Sequence, residues 1–144
     1  MDVFFQTESS PALLILRLCL AVVFFAHGSQ HFAGWFGGRG LKSTVTNWNE
    51  RYQIPVAIGV IGVFTEFFGS FALVIGFMTR LVVLGLMIFM WVAMRKGHWG
   101  NGFFMAHGPG NGSGIEYCLV LLLMSLALLV GGGGVLSLDR WLAG

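Results

Sequence analysis

Charge is scarce in this sequence. Eight Lys and Arg and six Asp and Glu serve 144 residues, a tenth of the chain. A water-soluble domain carries about a quarter charged residues, so an ordinary soluble surface is excluded. The net charge of +2 is small and dispersed, which leaves no footprint for nucleic acid. Cysteine is scarcer still. Cys19 and Cys118 both fall in apolar runs, at depths roughly 10 Å apart when counted at helical rise from the membrane edges. A disulfide needs Cα atoms within about 7 Å, so none is expected. There is no Cys-x-x-Cys pair, no iron–sulfur spacing, no His-Glu-x-x-His zinc motif and no flavin or nicotinamide fingerprint. No Lys or Arg precedes the first apolar run and no small-residue cleavage site follows a short apolar core. The first helix is therefore expected to be retained as a span rather than removed as a signal peptide.

Apolar runs are what the sequence has in abundance. Hydrophobic residues make up 56% of it, and mean hydropathy is +0.82. Four runs approach the ~20 residues needed to cross a bilayer: 12–34, 55–77, 79–97 and 114–131. Backbone polar groups in lipid must pair within their own segment, so the runs are read as helices. The expected fold is all-α: an antiparallel bundle of four transmembrane helices in one integral membrane domain. The turn at 78–80 is short enough to make the second and third helices a hairpin. Loop 1, residues 35–54, is polar and aromatic, with a short interfacial helix expected around 41–52 that sets Trp48 and Tyr52 at headgroup level. Loop 3, residues 98–113, is glycine-rich, lies on the same side, and is expected to fold Phe103 and Phe104 back onto the bundle. Arg39, Lys42, Arg51, Arg95 and Lys96 sit on the loop side, and Arg80 and Arg140 on the side of the termini. The positive-inside rule then places loops 1 and 3 in the cytoplasm and the termini outside.

Ionisable groups at membrane depth are expensive and default to a functional or partnered role. Glu66 falls about eleven residues into the second run, with Gly59, Gly62, Gly69 and Ser70 on its face, so it is expected to face the interior near the midplane. Arg17, a few residues into the first run, differs from it in depth by roughly 6 Å, within an arginine's reach. An Arg17–Glu66 ion pair is expected as a structural link. His27, Gln30 and His31 end the first run on the side where Glu116 begins the fourth, and His98, Asn101 and His107 lie in the loop on that side. Glu116 reads equally as a first-turn charge favoured by the helix dipole. His27 and His31 are one turn apart on one face, but two ligands rarely hold a metal, so no metal site is assigned. Haem, which one or two histidines could ligate, ranks below a hydrogen-bonded small ligand.

These segments resemble the DoxX family of bacterial four-helix membrane proteins over about 12–140. The resemblance rests on Arg17, on His27, Gly28 and Gln30, on Glu66, on Gly76 with Thr79 and Arg80, on Asn101 to Phe104, and on Glu116 with Tyr117. The family pattern carries Lys after the Gln, where this chain has His31, so a permanent cation is replaced by a titratable one. The resemblance implies a multi-pass protein of the bacterial plasma membrane. It also implies a subunit of an oxidoreductase system that handles a quinone or a small thiol or sulfur compound.

On that reading the two imidazoles and the amide are one wall of a small-molecule site. His27, Gln30, His31, Asn101, Phe103, Phe104 and Glu116 would bind the ligand, with Trp35 as a further apolar wall. His27, Glu66 and Glu116 are the candidates for catalytic proton transfer, since a His beside a carboxylate suits quinol chemistry. Quinone is the expected partner molecule, and no self-sufficient redox cofactor is expected. The lipid bilayer and other membrane subunits or further copies of the chain are the expected partners. The alternatives are a non-enzymatic binding or transport module and a structural accessory subunit of a larger membrane complex.

Overall fold

A computed structural model describes residues 5–105 and 112–144, and every regular element among them is helical. The elements are α1 (Pro11–Phe32), α2 (Gly40–Tyr52), α3 (Val56–Ile75), α4 (Thr79–Ala93), α5 (Glu116–Gly131) and α6 (Leu138–Ala143). A π-helical turn, Met94–His98, and a 3-10 turn, Trp99–Asn101, prolong α4 without a break. Three helical stretches are long and apolar enough to cross a membrane: Pro11–Phe32, Val56–Ile75 and Thr79–Asn101. The fourth apolar helix, α5, is shorter at 16 residues. Contacts run from α1 to α3, α3 to α4, α4 to α5 and α5 back to α1, closing a ring. Leu20, Phe24, Leu73, Leu86, Leu121 and Leu128 fill its middle. The outer faces carry exposed Ile15, Val22, Ile61, Phe68, Ile88 and Val130. Apolar surface of this kind, costly in water, is what a helix facing lipid presents.

Helix boundaries follow local chemistry. Pro11 opens α1 and Pro55 precedes α3, where a missing N–H costs nothing. Gly76 ends α3 in the left-handed region at φ 67°, and a Cβ there would strike the Arg17 guanidinium and Ser137. The helix expected in loop 1 is present as α2; its place at a membrane interface stays an expectation. The third run was expected to end at 97. Instead the chain widens into a π turn at Met94 and continues helical to Asn101.

Two expectations fail, the first of them through helix register. Arg17 does not pair with Glu66. Gly28 of α1 lies against the backbone of Phe67 and Glu66, so close that a Cβ would sit 2.8 Å from Phe67 Cα and N. That contact sets Glu66 beside the last turn of α1 rather than its middle. Arg17, about 17 Å further back along α1, reaches the opposite end of α3. Its guanidinium donates to Val74 O at 3.4 Å and to Leu136 O at 3.0 Å. The last carbonyls of a helix lack intrahelical partners and carry the negative end of its dipole, so a buried cation is favoured there. Phe103 and Phe104 do not fold onto the core either. They are 49% and 72% exposed and pack on each other, with ring centroids 5.2 Å apart. Their backbone is held by Ile115 N to Gly102 O, Glu116 N to Phe103 O and Gly114 N to Phe104 O, which leaves the rings outward.

The end of the molecule near the described termini is a set of such caps. Asp139 of α6, 1% exposed, accepts from Met78 N at 2.6 Å and Thr79 N at 2.8 Å, so the tail supplies the N-terminal cap of α4. Arg80 donates to Val130 O at the end of α5, 2.8 Å away.

Candidate functional site

At the opposite end the helices part around a cavity of about 650 Å³. α1 supplies Phe24, His27 and His31, α2 supplies Trp48 and Tyr52, and α3 supplies Ile58 to Glu66 on its inner and seam-facing positions. α4 and its π turn supply Gly85 to His98, and α5 supplies Tyr117, Cys118 and Leu121. Loops 1 and 3 thus share one end of the molecule. The volume falls within the ~300–1,000 Å³ range of small-molecule sites, which are mainly apolar with a few converging polar groups.

The polar centre is a histidine–carboxylate pair. His31 Nδ1 lies 2.6 Å from Glu66 Oε2, with side-chain exposures of 27% and 3%. The carboxylate can only accept when ionised, so Nδ1 carries the proton and Nε2 is the ring atom left for another partner. The His31 ring stands edge-on to Trp48, centroids 5.1 Å apart, which fixes its orientation. His27, one turn earlier and exposed to the cavity, lies 6.1 Å from the Tyr117 ring. His98 joins from the end of the π turn, and its Nδ1–H donates to Ser113 O at 2.8 Å. A carbonyl cannot donate, so this bond sets the same tautomer in His98 as the carboxylate sets in His31. Lys96 also lines the cavity.

Of the residues expected here, His27 and His31 line the cavity together with Glu66. Gln30 does not. It points the other way along α1 and donates to Phe36 O at 3.2 Å, tying down the glycine turn. Glu116 opens α5 and accepts from Met105 N at 2.6 Å, so it anchors loop 3 from outside the cavity. Asn101 donates to Ser113 O at 3.1 Å in the same loop. Phe103, Phe104 and Trp35 face away, Trp35 packing on Phe25. His107 lies outside the described residues. Trp48, Tyr52, Tyr117 and Cys118 line the cavity without being legible as site residues in the sequence. Trp48 and Tyr52 are four apart on α2, a spacing that puts them on one face, but only the docking of α2 turns that face inward. Both cysteines are free thiols, Cys118 buried and Cys19 exposed. Among the described residues no three His, Cys, Asp or Glu side chains converge as a metal site.

Comparison with known proteins places this geometry in a family. No solved structure matches the chain significantly. A protein of Bacillus subtilis (strain 168), named "Putative oxidoreductase CatD", is 29% identical over 132 residues, which is 88% of this chain and 83% of that protein. The family model described as DoxX matches residues 12–99, more than half of the chain, and that stretch holds α1 to α4 with His27, His31 and Glu66. The chain belongs to the DoxX family, and it is a membrane protein.

Proposed function

We propose that the chain is the membrane subunit of an oxidoreductase system and binds a quinone in the cavity beside His31 and Glu66. The observation that carries this reading is the pair itself. A histidine with one nitrogen held by a buried carboxylate and the other free opens on an apolar cavity of about 650 Å³. A quinone carbonyl needs a hydrogen-bond donor when oxidised and an acceptor for its hydroxyl when reduced. Imidazole serves both needs by changing protonation state. Glu66 stabilises the protonated ring, and Trp48, Tyr52 and Phe89 supply flat apolar walls for an aromatic head. Reduction of a quinone takes two electrons and two protons. The chain has no redox motif of its own, so the electrons come from a partner subunit, and His31 and His27 deliver the protons. The name of the Bacillus subtilis relative is consistent with this class of chemistry.

On this reading the four apolar helices α1, α3, α4 and α5 form an antiparallel transmembrane bundle in the bacterial plasma membrane. Loops 1 and 3 face the cytoplasm, as the excess of Lys and Arg there directs. A small thiol or sulfur compound would find few polar partners in so apolar a cavity, and for that reason quinone is preferred. A non-redox binding module would use the same residues, and a purely structural subunit would use none of them.

The test is native mass spectrometry of the chain released gently from its own membrane, with His31→Ala alongside. A quinone retained by the wild type and lost from the variant supports the proposal. A wild-type chain that carries no small molecule and stays bound to other subunits refutes it in favour of the structural role.

A further inference from the structure

We infer that the cavity is open sideways to the lipid between α3 and α4, and that its ligand is lipid-tailed and lies with its chain in that seam. The inference rests on the quinone reading and names which quinones the site takes.

The cavity lining has two unlike parts. One is polar, at His31, Glu66 and His98. The other includes Ile58, Ile61 and Ile88, which are 54%, 61% and 61% exposed. A residue that lines an enclosed cavity is buried, so large exposure together with cavity lining marks an opening. That opening lies on apolar faces of stretches long enough to cross a membrane: Ile58 and Ile61 lie in Val56–Ile75, and Ile88 near the middle of Thr79–Asn101. It therefore faces hydrocarbon.

Small residues line the seam along its length: Gly69 meets Val82 and Leu86 near the hairpin turn, and further from it Gly62 meets the Phe89 ring and Gly85 the Thr65 methyl. What fills the seam at the level of the cavity is therefore one aromatic ring and one methyl group, and Gly62, Thr65, Gly85 and Phe89 all line the cavity. The Phe89 ring also meets Trp48, centroids 5.8 Å apart.

A single quinone ring does not need 650 Å³, a volume typical of a much larger drug-sized ligand. Room beyond the ring leads toward lipid along isoleucines, which suits a branched isoprenoid chain. A water-soluble substrate would have no use for an apolar lateral opening.

The experiment compares two probes on the protein in lipid nanodiscs: a quinone with a long polyisoprenoid tail, and the same ring with no tail. Ile88→Trp narrows the seam from its lipid side without touching the packed core. The tailed probe should bind Ile88→Trp about tenfold more weakly than wild type while the tail-less ring changes by less than about twofold. A photoreactive group on the tail should label α3 and α4 near Ile61 and Ile88. Equal binding of the tailed probe by both proteins, or labelling elsewhere, overturns the lateral opening and leaves the quinone reading standing. A wild-type protein that retains neither probe overturns the quinone reading and the opening with it. Unchanged thermal unfolding of Ile88→Trp separates a blocked seam from a damaged fold.

Discussion

His31 Nδ1 and Glu66 Oε2 are 2.6 Å apart, and this bond is the most direct polar link between α1 and α3 at the cavity end of the molecule. Glu66 is 2% exposed, so its carboxylate depends on the imidazole for compensation. Removing one partner strands the other.

His31→Ala should therefore lower stability by about 2 kcal/mol, less than the ~3–5 for a fully buried pair because His31 is partly exposed. Replacing both partners, as in His31→Phe with Glu66→Met, should recover most of that loss. Thermal unfolding in detergent checks both. Ligand retention should fail in both variants. A double variant no more stable than His31→Ala would show that the pair is not an isolated buried couple.

Asp139→Ala should destabilise the protein by about 1–2 kcal/mol, the usual cost of a lost helix cap. Its carboxylate holds the N–H groups of Met78 and Thr79. The loss should appear in thermal unfolding and in faster amide exchange at the start of α4. Quinone retention should persist, since the cavity lies at the other end. Unchanged exchange at Met78 and Thr79 would contradict the cap.

Gly28→Val should prevent the native approach of α1 to α3. A Cβ at that position would sit 2.8 Å from Phe67 backbone atoms, which cannot move as a side-chain tip can. A backbone clash in a packed interior costs about 1–3 kcal/mol or more, and the His31–Glu66 bond should break with it. Loss of folded protein on size-exclusion chromatography, or loss of ligand with retained fold, is the expected result. Full stability with full binding would show that the contact is looser than described.

Glu116→Gln should separate anchoring from catalysis. Its Oε1 accepts from Met105 N and does not face the cavity. A glutamine can still accept, so ligand affinity should change by less than about threefold, with a loss of about 1 kcal/mol or less in loop stability. Under the proposed function, electron-transfer turnover should be unaffected. A loss of turnover at constant affinity would return Glu116 to the catalytic candidates.

The membrane class, the helical runs, the loop 1 helix and the family motifs were legible along the chain. Apolar length, proline and glycine placement and charge scarcity are local properties, and they need no partner to be read. His27 and His31 were likewise found as neighbours on one face, because one helical turn brings them together whatever surrounds them. What remained hidden was the level at which α3 meets α1. Counting residues from helix ends gave Arg17 to Glu66, whereas the approach of Gly28 to Phe67 shifts α3 along α1 and gives Glu66 to His31 and Arg17 to the end of α3. That shift is a packing choice between backbones distant in sequence. It also decided that Gln30 turns away and that Trp48 and Tyr52 turn in. The sequence by itself determined that this is a helical membrane protein with imidazoles and a carboxylate within its apolar helices. Only the tertiary structure decided which carboxylate meets which imidazole, because register between helices is set by close contacts that no single helix contains.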